Sequence, residues 1–433
     1  MSLDPELSAR ISEAVAAGFD EQIAFTQDLV RFPSTRGNEH TVQDFMARAM
    51  RERGFALDRF EMDHGAIARH PGASQISEQH SQAPIVVGIH RPREETGRSL
   101  ILQGHVDVVP TGPEDMWATA PFDPVVKDGW MYGRGAGDMK AGVASNLFAL
   151  DALRRIGLQP AATLYVQSVV EEESTGNGAL MTHLRGYRAE AALVPEPMGE
   201  SLTRANVGVL WFQVEVRGVP AHVAYMGEGA NAIDAAYRVV GALRELETRW
   251  NETVPTDPWF GETDHPLNLN VGRIEGGDWA SSVPSWCRID FRIAMLPGTS
   301  AEAGRRDVEE CITAFTRTDP FLSNNPPQIT FNGFTAEGYV LEPGSDAEAV
   351  LTRAHEAVMG RPMEPSPATA YLDARVYALY DKIPALNYGP IAENIHGVDE
   401  RVDLASVRRT TEVTARFIAE WCGVEDCTGQ SVA

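Results

Sequence analysis

The chain has 433 residues, of which 43% are hydrophobic and 23% are charged, and its formal net charge is −24 at pH 7. This composition is typical of a globular protein, and the length predicts two domains. The negative charge argues against partners such as nucleic acid or an anionic membrane surface. The sequence has no apolar run that could span a bilayer and no signal-peptide pattern, and its four cysteines lie away from the motifs described below. We therefore expect a cytoplasmic protein with reduced thiols.

The segments 1–206 and 335–433 alternate between helical and strand-like patterns. A helix is predicted over residues 5–30, a second over 39–53, and a surface loop over 64–84. Further elements are predicted as strands at 85–90, 99–103, 162–170, 191–194 and 383–388, and as helices at 143–155, 346–359 and 404–421. Alternation of this kind, with polar residues at strand ends, predicts an α/β domain with a mostly parallel sheet and helices on both faces.

The pattern changes near Asn206. The following elements are predicted as strand 207–217, helix 230–250, strands 267–274 and 288–295, helix 302–317 and strand 328–334. This order predicts a ferredoxin-like α+β domain inserted into the first domain. The expected division is therefore a discontinuous catalytic domain, 1–206 with 335–433, and an inserted domain, 207–334.

A glycine-rich loop between Gly133 and Gly142 carries one carboxylate, Asp138, just before an apolar helix. Earlier in the chain, His105 and Asp107 form a His-x-Asp pair at a predicted strand end. Residues two apart on a strand share a face, so Asp107 could hold the histidine nitrogen that does not bind a metal. Either motif alone would be weak.

Further acids and a histidine follow other predicted strands. Three consecutive glutamates, residues 171–173, end one strand, and packing them together costs repulsion unless cations offset it. The candidate metal ligands are His105, Asp138, Glu173, Glu196 and His396. Two histidines with three carboxylates suit zinc, manganese or cobalt, and the missing cysteine ligands argue against a structural zinc site. We expect two divalent cations, with Zn²⁺ favoured over Mn²⁺ or Co²⁺, and with Asp138 shared by both.

With these motifs, the chain resembles the M20 family of metallopeptidases and amidohydrolases, which includes acetylornithine deacetylase and succinyl-diaminopimelate desuccinylase. The matching segments run from about Phe32 to Glu400. They include Gly104-His105-Val106-Asp107, Gly133-Arg134-Gly135-Ala136-Gly137-Asp138-Met139-Lys140, Glu172-Glu173, Glu196-Pro197, and His396 with Asp399-Glu400. The separations also resemble the family, since 138 − 105 is 33 and 172 − 138 is 34.

The resemblance implies a role for each residue. Asp138 would bridge both metals, and Glu172 would be the general base that takes a proton from the water between them. His105 and Glu196 would hold one metal, and Glu173 and His396 the other. A register shifted by one residue would make Glu171 the base and Glu172 a ligand, although the 34-residue spacing favours the first assignment.

The inserted domain resembles the family's lid, which usually mediates dimerisation, so we expect a homodimer or a higher homo-oligomer. The resemblance implies that His222 reaches the neighbouring subunit's active site and stabilises the tetrahedral oxyanion there. It also implies that Arg292 grips the carboxylate of a small-molecule substrate. Without the resemblance, His222 is a surface histidine and Arg292 is part of an ion pair on a sheet face.

Some residues depart from the desuccinylase pattern. Val223 follows the lid histidine in place of a small hydroxyl residue, Met198 replaces a common threonine, and Ser281 and Ser282 stand where desuccinylases tend to carry asparagines. These departures favour the deacetylase-like branch. The sequence therefore predicts metal-dependent hydrolysis of a C–N bond, most simply the amide of an N-acyl amino acid or of a dipeptide-like compound.

Two alternatives remain at this stage. Trp211, Tyr225, Trp279 and Trp286 in the expected lid leave room for a catabolic hydrolase that acts on a C–N bond of an aromatic or xenobiotic acid. The other alternative is a non-catalytic relative that only binds metal or a partner, whose signature would be a lost ligand or base. The sequence lacks neither.

Overall fold

The computed structural model describes residues 3–427, in which helices and strands alternate. The α-helices are α1 (Pro5–Val30), α2 (His40–Glu52), α3 (His64–Ala68), α4 (Ala141–Arg155), α5 (Asn177–Arg185), α6 (Ala232–Asn251), α7 (Ala301–Thr318), α8 (Asp346–Met359), α9 (Ala374–Val376) and α10 (Leu404–Trp421). The strands are β1 (Ala56–Phe60), β2 (Ile85–His90), β3 (Leu100–His105), β4 (Val125–Lys127), β5 (Trp130–Tyr132), β6 (Leu158–Pro160), β7 (Leu164–Val169), β8 (Ala191–Val194), β9 (Leu202–Asn206), β10 (Gly208–Arg217), β11 (Leu269–Gly276), β12 (Trp286–Met295), β13 (Gln328–Ala336), β14 (Tyr339–Val340), β15 (Pro365–Ala368), β16 (Ala385–Asn387), β17 (Ala392–Glu393), β18 (Arg401–Asp403) and β19 (Val424–Asp426).

The largest sheet has six strands in the order β1-β2-β7-β3-β8-β16. Strands β7, β3, β8 and β16 pair in parallel, and β2 runs antiparallel to both of its neighbours. All six residues of β3 are buried, and since successive side chains point to opposite faces, both faces of the sheet are covered there. The α/β class predicted from the sequence is therefore confirmed.

A second sheet of four strands is built between residues 208 and 336 in the order β11-β12-β10-β13, with every neighbour antiparallel. Helices α6 and α7 contribute buried side chains to one core with these strands. Along β10 the burial alternates between residues, because one face packs on the helices and the other is more open. The elements follow one another as strand, helix, strand, strand, helix and strand.

A small sheet, β17-β18-β5-β4, connects distant parts of the chain. Strand β5 leads into the glycine-rich loop, and β18 pairs with it in antiparallel register, Val402 opposite Met131. The segment between β17 and β18, which includes His396, is thereby brought next to the loop of Asp138. This pairing is the first step in building the site.

Some local details differ from the sequence expectations. The segment 64–84 was expected to be a loop, but it begins with the short helix α3, whose first turn is capped by the Asp63 carboxylate accepting from the Ala66 amide. The four cysteines are unpaired. Across residues 3–427, every helix is too short or too polar to cross a membrane.

Candidate metal centre

The carboxyl ends of three adjacent parallel strands supply most of the predicted ligands. His105 is the last residue of β3, Glu172 and Glu173 follow β7, and Glu196 follows β8. Since β3 lies between β7 and β8, these side chains converge at one edge of the central sheet, where ligands of such sheets bind. The other two predicted ligands come from elsewhere: Asp138 from the turn that precedes α4, and His396 from the segment between β17 and β18.

Asp138 lies between the two histidines. Its Oδ1 is 3.2 Å from Nε2 of His105, and its Oδ2 is 3.4 Å from Nε2 of His396. Glu196 Oε1 lies 3.8 Å from the same nitrogen of His105, and Glu173 Oε2 lies 3.0 Å from that of His396. The five side chains therefore form two groups of three that have Asp138 in common, each with ligand atoms within 4.8 Å of one another.

The donor set fits two divalent cations. The buried Oε1 of Glu196 has no hydrogen-bond partner among the described protein atoms, a costly state for a carboxylate unless a cation satisfies it. Burial and neighbouring carboxylates raise the pKa of Glu172 and Glu196 well above the usual range. Burial opposes the charged form of His396, but Glu173 and Asp138 outweigh it and raise its pKa to about 11. The raised pKa values show that the crowded carboxylates favour added positive charge, which bound cations would supply.

The loop of Asp138 is held by Glu400, an acid of the matching motif to which the sequence analysis gave no role. The Glu400 carboxylate accepts hydrogen bonds from the backbone amides of Gly135 (3.0 Å), Gly137 (2.9 Å) and Asp138 (3.0 Å), and it pairs with the buried guanidinium of Arg134. Because Glu400 lies just beyond His396 in the chain, it ties the loops of two predicted ligands together. Its only sequence signal was an acid four residues after the histidine.

A second buried acid, Glu171, precedes the other two glutamates and has several hydrogen-bond partners of its own. It has a left-handed backbone, φ 69°, which is uncommon for a residue with a side chain. Its carboxylate accepts from Arg36 Nε at 2.7 Å, from the Ser81 amide at 2.8 Å and from Thr175 Oγ1 at 2.8 Å. Burial opposes the charged form, but Arg36 outweighs it and lowers the pKa of Glu171. Glu172 lines the pocket and Glu171 does not, so the geometry does not support the shifted register.

Asp107 contacts two of the predicted ligands. Nδ1 of His105 lies 3.0 Å from the backbone carbonyl of Asp107, whereas the nearest carboxylate oxygen is 3.6 Å away. The carboxylate is engaged elsewhere, since its Oδ2 accepts from the Glu173 amide at 3.1 Å. The other carboxylate oxygen, Oδ1, faces the ring and has no hydrogen-bond partner among the described residues, so the predicted hold of the Asp107 carboxylate on His105 stays a prediction. Asp107 holds His105 through its backbone and Glu173 through its side chain.

The cluster opens into a pocket of about 510 Å³ that reaches across to the second sheet. Its lining consists of Asp138, Glu172, Glu173, Glu196, Pro197, Met198, Val209, Trp211, Asn270, Arg292, Phe334, Ala370, Tyr371, Leu372, Ile395 and His396. Arg292 donates to the carbonyls of Asn268 (3.3 Å) and Thr369 (2.8 Å), and within residues 3–427 no carboxylate pairs with it. Burial lowers the pKa of Arg292 to about 10, so its guanidinium is still charged at neutral pH. That charge could pair with the carboxylate of a ligand.

His222 is not brought to the cluster. It is exposed on a loop of the second-sheet region, where its Nδ1 accepts from the Ala224 amide at 3.1 Å, and it is not among the described residues that line the pocket. Tyr225 and Trp279 are exposed in the same region, at 64% and 73%. Of the four aromatic residues noted in the sequence, Trp211 alone lines the pocket.

Several known proteins are similar to this chain over most of its length. The family profile described as "Peptidase family M20/M25/M40" matches residues 101–420. The chain is 27% identical over 428 residues to the N-formyl-4-amino-5-aminomethyl-2-methylpyrimidine deformylase of Bacillus subtilis, covering 93% of this chain and 95% of that protein. It is 27% identical over 414 residues to the succinyl-diaminopimelate desuccinylase of Cereibacter sphaeroides, covering 93% and 99%.

Among solved structures, the fold is similar to that of the di-peptidase Dug1p of Saccharomyces cerevisiae, with a TM-score of 0.78, 16% identity, and coverage of 96% of this chain and 98% of that one. At this identity the likeness concerns the fold alone. The profile match spans most of the chain, so the protein belongs to Peptidase family M20/M25/M40 and is a hydrolase of that family.

Proposed function

We propose that this hydrolase cleaves the amide C–N bond of an N-acyl amino acid or of a dipeptide-like compound, with two divalent cations as cofactors. The observation that carries the proposal is the convergence of five candidate ligand side chains at the edge of the sheet, four of which line, together with Glu172, a pocket that also contains Arg292. Two full-length relatives are named for removing a formyl and a succinyl group, which supports acyl–nitrogen cleavage.

His105 and Glu196 would hold one cation, Glu173 and His396 the other, and Asp138 both. When bound, the cations polarise the substrate carbonyl and lower the pKa of water. Zinc is the first candidate, and manganese and cobalt also suit imidazole and carboxylate ligands. The ligand positions depend on Glu400, which fixes the Asp138 loop, and on Asp107, which fixes both His105 and Glu173.

Glu172 is the proposed general base. It follows the same strand as Glu173 and projects into the pocket, with its Oε2 3.8 Å from Nε2 of His105. It takes a proton from the attacking water, whose oxygen forms a bond to the carbonyl carbon, and delivers that proton to the amine nitrogen as the C–N bond breaks. Arg292 would bind the substrate carboxylate through paired hydrogen bonds and so orient the amide.

Residues 207–334 are proposed to act as a lid and dimerisation domain, with 1–206 and 335–433 as the catalytic domain. In this proposal His222 donates to the developing oxyanion in the partner's site, since its exposed side chain does not line the pocket of its own chain. The exposed apolar side chains near it, which include Val223, Tyr225, Met226 and Trp279, would form the contact between copies. We expect no nucleic-acid or membrane partner and a cytoplasmic location.

A second candidate uses the same machinery on a C–N bond of an aromatic or xenobiotic acid. The observation in its favour is that three aromatic rings, those of Trp211, Phe334 and Tyr371, line the pocket. A non-catalytic role has no such support, because the predicted base and all five predicted ligands are present in the described chain.

The test is a turnover assay on protein stripped by a chelator and reloaded with Zn²⁺, Mn²⁺ or Co²⁺ separately. The substrates are N-formyl, N-acetyl and N-succinyl amino acids, and the matched controls are the same compounds with the carboxylate converted to an amide. We expect at least one metal to restore hydrolysis, and the controls to react more slowly because Arg292 has lost its partner. The proposal would be overturned if no metal-loaded form hydrolysed any of the acyl compounds. If an aminobenzoic acid added to the panel were instead converted by water to the hydroxybenzoic acid with release of ammonia, the second candidate would be favoured.

A further inference from the structure

Three aromatic side chains form a continuous wall on one side of the pocket. The ring centroids of Trp211 and Phe334 are 5.1 Å apart at an interplanar angle of 90°, and those of Phe334 and Tyr371 are 4.3 Å apart at 33°. All three residues line the pocket that contains the metal ligands. Trp211, Phe334 and Tyr371 are called the aromatic wall below.

The aromatic wall begins beside Arg292. On the antiparallel second sheet, Arg292 of β12 stands directly opposite Trp211 of β10 on one side and Asn270 of β11 on the other. Directly opposed side chains lie on the same face with Cβ atoms about 5 Å apart. Trp211, Arg292 and Asn270 therefore form a row across three strands, and all three line the pocket.

The backbone is shaped to hold the indole in this row. The pairing of β10 with β13 shifts between Leu210 and Phe212, so that an irregularity in β13 lies opposite Trp211. Gly333 lies within that irregularity, and a Cβ added to it would be 2.5 Å from the Trp211 ring. Any larger residue at 333 would displace the indole.

The far end of the wall is also fixed. The Tyr371 hydroxyl donates to Asp373 Oδ1 at 3.0 Å, and Oδ2 of the same carboxylate accepts from Gln103 at 2.8 Å. Phe334 is packed between the other two rings and is only 4% exposed. A ligand therefore meets a preformed aromatic surface, which costs little ordering entropy on binding.

We infer that the substrate carries a planar aromatic ring on the same half as its carboxylate, as in an N-acylated aromatic amino acid. The carboxylate binds Arg292 and the ring lies against the aromatic wall, one cross-strand spacing, about 5 Å, away. A ring on the acyl half would be separated from Arg292 by the amide and would not be placed beside Trp211. This inference rests on the proposed function, because it assigns the two halves of the amide substrate to the two sides of the pocket.

The experiment compares matched substrates in the metal-loaded enzyme. N-acetyl-phenylalanine is compared with N-acetyl-cyclohexylalanine, which has a side chain of similar size without a flat ring, and N-acetyl-alanine serves as the reference. N-benzoylglycine and N-cyclohexanecarbonylglycine form the same comparison on the acyl half. Favourable contacts with two or more rings predict a kcat/KM about tenfold higher for the phenylalanine compound, with no such preference on the acyl half.

Variants locate the preference in the aromatic wall. Trp211→Leu and Phe334→Leu should each reduce the ratio of kcat/KM between the phenylalanine and cyclohexylalanine compounds to near one, whereas Trp211→Phe, which keeps a ring, should retain most of it. The matched control is Trp286→Leu, which removes a tryptophan of the same sheet that lies outside the pocket and bonds to Asp278, and which should leave the ratio unchanged.

The possible outcomes separate the two proposals. Equal rates for the phenylalanine and cyclohexylalanine compounds, or a preference confined to the benzoyl pair, would overturn the inference while leaving amide hydrolysis established. An unchanged ratio in both leucine variants would also overturn it. Failure to hydrolyse any compound, N-acetyl-alanine included, would overturn the proposed function and the inference with it.

Discussion

The three histidines that the sequence assigned to the site lie in two contrasting environments. His105 and His396 sit at the edge of the central sheet within 3.5 Å of the shared carboxylate Asp138. His222 lies exposed on the second-sheet region, outside the pocket of its own chain. One copy of the chain thus brings together all five candidate metal ligands, but it does not place its third histidine there. Under the proposed function, the metal centre would need one copy of the chain, whereas the role proposed for His222 would need two.

The two regions are also held in place differently. At the sheet edge, buried acids such as Glu400 and Glu171 accept several hydrogen bonds each, so the ligand positions are strongly constrained. In the second-sheet region, the ion pairs have at least one half-exposed partner, as between Arg238 and Asp319. Substitutions at the sheet edge should therefore change turnover and metal affinity. Substitutions in the second-sheet region should mainly change the free energy of unfolding.

The largest effect is expected for Glu172→Gln at the sheet edge. The amide cannot accept the proton from water, so kcat should fall on the order of 10³-fold or more, about 4 kcal/mol in activation free energy. Metal content measured by elemental analysis should be unchanged, because the five ligands remain. The matched control, Glu52→Gln at an exposed helix end, should alter neither quantity. Retained turnover in Glu172→Gln would refute its assignment as the base.

The next effect concerns the acid that joins the two loops. Glu400→Gln removes the charge that pairs with the buried Arg134 and weakens the anchoring of the Asp138 amide, and loss of one partner of a buried ion pair costs about 3–5 kcal/mol of stability. Calorimetric titration should also show weaker metal binding, since the Asp138 loop is less fixed.

Glu348→Gln provides the control for Glu400→Gln. It breaks the ion pair between Glu348 and Arg204. That pair is also largely buried, but neither of its residues lines the pocket. It should lower the unfolding temperature without changing metal affinity. An equal loss of metal affinity in both variants would mean that Glu400 acts through global stability alone.

The smaller catalytic effect tests the contrast between the histidines. His222→Ala should lower kcat on the order of 10²-fold, the usual cost of one oxyanion donor, with metal content intact. Co-expression with Glu172→Gln should restore about a quarter of wild-type activity, because half of the two-fold symmetric dimers are mixed and each mixed dimer has one intact site. Co-expression of Glu172→Gln with His105→Ala should restore no activity. Both residues act in the site of their own chain, so each of the two sites in a mixed dimer carries one of the substitutions. Recovery that is no better in the first pair than in the second would disprove sharing of His222 between subunits.

These contrasts also explain what the sequence could and could not predict. Each metal ligand except His396 follows an apolar run or a glycine-rich loop, so local patterns marked His105, Asp138, Glu173 and Glu196. Glu400 was named in a matching motif, but its role was not predicted because its partners lie more than 260 residues away in the chain, and no local pattern signals such a bond. The contact of the Asp107 backbone carbonyl with the His105 ring, at 3.0 Å, was not predicted, because β3 ends at His105 and strand alternation says nothing about the backbone beyond it.

The smallest effect belongs to the second-sheet region and should leave catalysis untouched. Asp319 accepts from Arg238 and from the Phe321 and Leu322 amides, and these bonds, Arg238 first, lower its pKa from 3.8 to about 2. A depressed folded-state pKa means that the stabilisation is fully present above about pH 4 and is lost as the pH falls through about 2. Since Arg238 is half-exposed and solvent screens the pair, the contribution at pH 7 should be about 1 kcal/mol.

Asp319→Asn should therefore lower stability at pH 7 and approach the wild type as the pH falls from about 4 to about 2, measured by denaturant unfolding at each pH. The control Asp20→Asn, at an exposed position of α1, should follow the wild type throughout. Hydrolysis and metal content should be unchanged in both variants, because neither residue reaches the pocket. A fall in turnover or metal content in Asp319→Asn greater than its loss of folded protein would show that the second-sheet region is coupled to the ligands, and the separation drawn between the two regions would then fail.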